Sequence, residues 1–101
     1  MPRVRLLDAA VQEAIEAAVW YEAARSGLGS EFDAAVTAAL DLLEEGMLPL
    51  VPAAGRAGER GLKRFVMRRF PYDIVVAVSE NEYVVLAFAH HARRPEYWKR
   101  R

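Results

Sequence analysis

The chain is predicted to fold as an α+β two-layer domain, with an N-terminal strand, a helical hairpin and then a three-stranded antiparallel sheet. Three observations point there. Three short runs rich in apolar, β-branched or aromatic residues (Leu62–Met67, Asp73–Ser79 and Tyr83–His90) follow one another, separated by turn residues. Ahead of them lie two segments of helical spacing joined by a glycine-containing link. A length of 101 residues with 53% hydrophobic content suits one modest core, so residues 1–101 are read as a single domain.

Taken in order, Arg3-Val4-Arg5-Leu6-Leu7 alternates weakly and predicts a short edge strand guarded by arginines. Asp8 stands as an N-cap before an alanine-rich helix over 9–24. Val11, Ile15, Ala18 and Val19 are expected on its buried side, and Glu13, Glu16 and Glu22 on a solvated one. Gly27 is placed to end this helix in a left-handed conformation. A second helix is expected over 30–45, with Phe32, Val36, Leu40 and Leu43 as its buried stripe. So short a link predicts antiparallel packing of the two helices. Residues 46–61 hold four glycines and two prolines and read as a surface loop, mobile at its centre. Arg68-Arg69-Phe70-Pro71-Tyr72 and Ser79-Glu80-Asn81-Glu82 then supply the two turns of the sheet.

Composition narrows the chemistry. The chain has no cysteine, so disulfides and thiolate metal sites are excluded, and a reducing cytoplasm is the expected location. No apolar run approaches the roughly 18 residues of a membrane span, and no membrane partner is expected. Net charge is zero but unevenly spread. Residues 1–50 carry three basic and nine acidic residues, whereas 51–101 carry eleven basic and five acidic. Either the basic half meets an anionic partner, or the two halves simply attract each other.

Four stretches, together spanning nearly the whole chain in order, resemble the RelE/ParE superfamily of toxins from type II toxin–antitoxin modules. These are Ala18-Val19-Trp20-Tyr21-Glu22, then Gly27-Leu28-Gly29-Ser30-Glu31-Phe32, then Arg69-Phe70-Pro71-Tyr72, and finally His90 with Arg93-Arg94-Pro95 and Tyr97-Trp98. The ParE-like plasmid-stabilisation branch is the most similar. The resemblance implies a bacterial toxin of two helices against a small sheet, held as a hetero-oligomer by a cognate antitoxin. It also implies one of two targets. ParE-like members inhibit DNA gyrase by binding, while RelE-like members cleave messenger RNA on the ribosome.

Cleavage of RNA needs a base, an acid and cations for the phosphorane charge. His90, His91, Arg64, Arg68 and Tyr97 are the candidates, with Lys63 as a further cation. Strand alternation sets Lys63, Phe65 and Met67 on one face and Leu62, Arg64 and Val66 on the other. Ribonuclease members place an arginine just after the turn aromatic, where this chain has Asp73. A carboxylate beside a scissile phosphate opposes that chemistry, so the gyrase-binding reading is preferred and endoribonuclease activity is the alternative. A toxin that has lost activity and persists as an antitoxin-binding module is a third reading.

For target binding the candidates are Arg68, Arg69, Arg93, Arg94 and Trp98, a basic group with interleaved aromatics. The competing expectation is that Tyr97 and Trp98 fold back onto the sheet as core. Antitoxin contacts are assigned to Trp20, Tyr21, Phe32 and Arg64. Trp20 and Tyr21 are adjacent on a helix, so one is expected to face the sheet and the other solvent or a neighbour. A plain core role is the competing expectation for them. No cofactor is expected, and no metal either, since adjacent strand histidines point to opposite faces.

Overall fold

The computed structural model describes residues 3–101. Its elements are β1 (Arg3–Leu6), α1 (Asp8–Ala24), α2 (Leu28–Glu44), β2 (Val51–Pro52), α3 (Gly55–Glu59), β3 (Lys63–Val66), β4 (Tyr72–Val78) and β5 (Glu82–His90). They form one five-stranded sheet in the order β1-β5-β4-β3-β2. The main class is as expected, but the sheet is wider than the three antiparallel strands predicted. β1 joins it in parallel with β5, and β2 adds an antiparallel edge beside β3.

β2 and α3 lie where the sequence predicts a mobile loop. Strands of two residues and helices of five are too short for hydrophobic periodicity to register. This segment is tied down because Ala53 and Ala57 are buried beneath Trp98.

α1 starts one residue earlier than predicted, with Leu7 at the N-cap position and Asp8 in the first turn, where its charge favours the helix dipole. α1 buries Ala10, Ala17 and Tyr21, with Ala14 and Ala18 half-buried beside them. Val11, Ile15 and Val19, expected inside, point outward instead. The helix is rotated so that its small residues face the core. This permits close approach to α2, where a Cβ on Gly29 would sit 2.5 Å from the Ala18 carbonyl oxygen. Gly27 links the helices at φ +89°, the left-handed conformation expected of it. Glu22 then accepts the backbone N–H groups of Gly27 (2.9 Å) and Gly29 (3.0 Å) at the start of α2. α2 buries Phe32, Val36, Ala39 and Leu43, close to the predicted stripe.

The helices cover one face of the sheet. Ile74, Val76, Val85 and Phe88 point into that layer. Val85 and Phe88 are three apart, which strict alternation forbids. A β-bulge resolves this: Val75 pairs with Ala87 and Val76 with Val85, leaving Leu86 as the extra residue. An aromatic group ties helices to sheet. Tyr21, Phe32 and Phe70 have ring centroids 5.0–5.3 Å apart, Phe32 reaches Tyr72 at 5.3 Å, and Tyr72 meets His90 edge-on at 5.0 Å. Tyr21, Phe32, Phe70 and Tyr72 thus form much of the packing centre.

The opposite face of the sheet is covered by a second, smaller apolar cluster. Ala53, Ala57, Val75, Ala87 and Trp98 are buried in it, and Leu62, Leu86, Ala89 and Tyr97 pack around them. Residues 91–101 therefore fold back across the sheet, one of the two arrangements considered for the aromatic pair. No helix among the described residues is long and apolar enough to cross a membrane.

Candidate functional site

On that second face, β3, β4 and β5 and the returning segment 91–98 enclose an open cleft of about 410 Å³. Alternation places its floor. Val66, Val75 and Ala89 share the face with Arg64, Asp73 and His91, as the sequence period requires. Arg64 lies opposite Val75, so Asp73 is its diagonal neighbour across the β3–β4 pair.

Asp73 is the hub of the cleft. Its Oδ2 accepts from Arg64 Nη1 at 3.2 Å, and its Oδ1 accepts from His91 Nε2 at 2.8 Å. An ionised carboxylate accepts only, so the His91 proton lies on Nε2 and Nδ1 is turned away from Asp73. His91 is itself fixed because its backbone N–H donates to the Pro71 carbonyl at 2.8 Å, extending the ladder by one residue. The Nε of Arg64 is buried and has no hydrogen-bond partner.

His90 serves differently. It meets Tyr72 edge-on, and its Nδ1 accepts the Ala92 backbone N–H at 2.9 Å, shaping the chain reversal after β5. The two histidines sit on opposite sides of the sheet and make no joint site. Among the described residues, no three His, Asp or Glu side chains come together to hold a metal ion.

A second network anchors the returning segment. Glu13, expected on a solvated face, is half-buried and reaches around the edge of β5. It accepts the Phe88 backbone N–H at 3.1 Å, the Tyr97 hydroxyl, and Arg101 through Nη1 (2.7 Å) and Nη2 (3.2 Å). Arg101 Nη1 also donates to the Leu86 carbonyl at 3.0 Å. Burial first, then the bond to Glu13, pushes the Tyr97 phenol well above its ordinary value, and Glu13 raises Arg101. A helical wheel sees only the position of Glu13 around its own axis, so sequence spacing carried no signal of this role. The guanidinium of Arg93 lies 3.9 Å from the Tyr97 ring centroid.

The predicted residues are therefore divided. Arg64, His91 and Tyr97 share the cleft, with His90 at its rim, whereas Arg68 stands in the β3–β4 turn outside it. Of the target-binding group, Arg93, Arg94 and Trp98 line the cleft, but Trp98 is buried as core. Arg68 and Arg69 lie in the turn, and Arg69 pairs with Glu31 of α2, which Arg25 also approaches at 3.6 Å. Of the antitoxin group, Trp20 is exposed, Tyr21 and Phe32 are core residues, and Arg64 is on the far face of the sheet from the helices. Phe32 sits in the buried stripe expected of α2, and of the adjacent aromatic pair Tyr21 faces the core while Trp20 faces outward.

The α+β architecture has a counterpart among solved structures. It is similar to a solved chain of the chromosomal ParDE TA system from P. aeruginosa, with a TM-score of 0.75 at 12% identity, covering 89% of this chain and 96% of that one. At that identity the likeness is one of fold. No family model and no curated protein sequence matches the chain.

Proposed function

We propose that this chain is the toxin component of a type II toxin–antitoxin module, a single ParE-like domain that inhibits DNA gyrase by binding and is neutralised by a cognate antitoxin. The observation that carries the toxin reading is a fold shared with a ParDE chain over nearly the full length of both. The preference for binding over catalysis rests on Asp73. Its carboxylate holds both Arg64 and His91, so the cation and base that phosphodiester cleavage would use are engaged by an internal negative charge. Arg94 at the cleft, which has no ion pair among the described residues, and Arg68 in the turn are the target contacts on this reading. The site of action is the bacterial cytoplasm, in a hetero-oligomer with the antitoxin until release.

A ribosome-dependent endoribonuclease is the second reading, favoured by one observation: Arg64, His91 and Tyr97 line the same cleft. Expressing the chain without an antitoxin and extracting plasmid DNA and messenger RNA from arrested cells separates the two. Relaxed or linearised plasmid with intact messages supports gyrase. Messages cut at codon-spaced positions with normal supercoiling support the nuclease. Growth without arrest removes both and leaves an antitoxin-binding module.

A further inference from the structure

We propose that the outward face of α1 is a docking surface for a basic amphipathic helix, supplied by the antitoxin. The proposal rests on the toxin reading for the partner's identity, and on the surface itself for the partner's chemistry. Val11, Ile15 and Val19 stand at 39%, 51% and 65% exposure, spaced i, i+4, i+8, and Trp20 follows at 68%. Eight residues of helix rise about 12 Å, so the three aliphatic side chains make a straight ridge over two turns. The buried face of α1 is alanine-rich, which means that its bulkiest aliphatic residues are spent on the outside. Such an inversion of the usual amphipathic pattern marks an interaction surface.

Charge identifies what covers it. α1 and α2 together hold eight carboxylates and no lysine or arginine. Of these, Glu13 and Glu31 already have arginine partners, while Asp8 and Glu16 flank the ridge with no ion pair among the described residues. Two copies of this chain meeting ridge to ridge would bring acidic rows together, which argues against a symmetric dimer. An anionic membrane is disfavoured for the same reason. A helix with its own apolar stripe flanked by Lys or Arg satisfies both features, by ridges-into-grooves packing and by pairing with Asp8 and Glu16. Around the helix from the ridge, Trp20 and Glu16 line a groove of about 170 Å³ with Tyr72 and His90, where Arg93 already supplies a cation.

The test uses three synthetic 18-residue helical peptides. One has a leucine stripe flanked by lysines, one has the same stripe flanked by glutamates, and one scrambles the lysine peptide to destroy the stripe. Binding is followed by fluorescence anisotropy of the labelled peptide. The lysine peptide is expected to bind at least about tenfold tighter than either control. Ile15→Glu and Glu16→Lys are each expected to weaken it by about tenfold or more with unchanged circular dichroism, because both side chains are exposed. Equal binding of all three peptides, absence of binding, or indifference to both substitutions overturns the proposal. So does an Ile15-dependent dimer in sedimentation, or preferential binding to phosphatidylglycerol vesicles. Growth without arrest in the plasmid and message experiment, with selective peptide binding retained, removes the toxin reading and leaves the docking surface standing.

Discussion

Glu13 in α1 and Arg101 are joined by two guanidinium–carboxylate bonds, of 2.7 and 3.2 Å, across the outer edge of β5. β1 covers that edge only from Glu82 to Val85. Beyond it, Glu13 takes the Phe88 N–H and Arg101 takes the Leu86 carbonyl, so side chains finish a ladder that the backbone leaves incomplete. The same pair holds residues 91–101 over the second face.

Glu13→Ala removes the bonds to Phe88, Tyr97 and Arg101 and strips a partly buried cation of its carboxylate partner. A loss of about 2–4 kcal/mol in urea unfolding is expected, against about 1–2 for Arg101→Ala. The double substitution should cost clearly less than the sum, since the two act through one contact. Trypsin should also cut more readily after Arg93 in Glu13→Ala than in the parent. Strict additivity with unchanged proteolysis would show that the pair does not anchor the segment.

Two glycines at the α1–α2 link are expected to differ in cost for different reasons. Gly27→Ala meets no neighbouring atom but forces a Cβ into the left-handed region, at about 1 kcal/mol. Gly29→Ala drives its Cβ to 2.5 Å from the Ala18 carbonyl and 2.9 Å from the Glu22 Cβ, so the helices must part. A cost of about 2–3 kcal/mol is expected there. Thermal unfolding of the two variants checks the ranking, and the reverse order would mean that the helices are not in tight contact at this point.

What was legible in the sequence, and what was not, follows from the range of each signal. Strand alternation correctly separated Phe65 and Met67 from Arg64 and Val66, and α2 showed its buried stripe through large residues at regular spacing. α1 misled because its core face is built of alanine, and side-chain size drew attention to Val11, Ile15 and Val19. β2 and α3 are too short to carry a period. The cleft was half-visible: its residues were named, but the Arg64–Asp73–His91 connection spans three strands, and only their register brings it about. Asp73 was singled out as a charge in the wrong place, yet its partners depend on pairing that local patterns do not encode.

Stability should fall at both ends of the pH scale, through different groups. Burial raises the Tyr97 phenol, and Tyr21 and Tyr72 are raised by burial as well. Their contribution is complete below the ordinary tyrosine value of about 10. Above it the unfolded chain loses protons that the folded chain retains, so stability declines as pH rises. At the acid end the Arg69 bond holds Glu31 below the ordinary carboxylate range, with Arg69 and Arg25 adding charge attraction. That contribution is complete above about pH 4.3 and is lost as pH falls through the lowered value. Denaturation midpoints of Tyr97→Phe and Glu31→Gln should flatten the alkaline and acid limbs respectively. A variant that leaves its limb unchanged would show that the named group does not set it.

The cleft gives the prediction that bears most directly on function. Asp73→Asn weakens the bonds to Arg64 and His91 and should cost about 1–2 kcal/mol, leaving the fold intact. His91→Ala should cost less, since its side chain is 42% exposed against 16% for Asp73. If the chain acts by binding gyrase, both variants should still arrest growth and relax plasmid DNA, because neither group then performs chemistry. Arg94→Ala should lose arrest at full stability, since its side chain has no hydrogen bond or ion pair among the described residues to give up. Trp98→Ala answers a different question. Its indole is core, and truncation should cost about 3–5 kcal/mol, so any loss of toxicity there reports unfolding. Circular dichroism must therefore accompany each growth assay. Loss of arrest in a folded His91→Ala variant, with messages cut by the parent and left whole by the variant, would transfer the assignment to the nuclease and make Asp73 the group that orients its base.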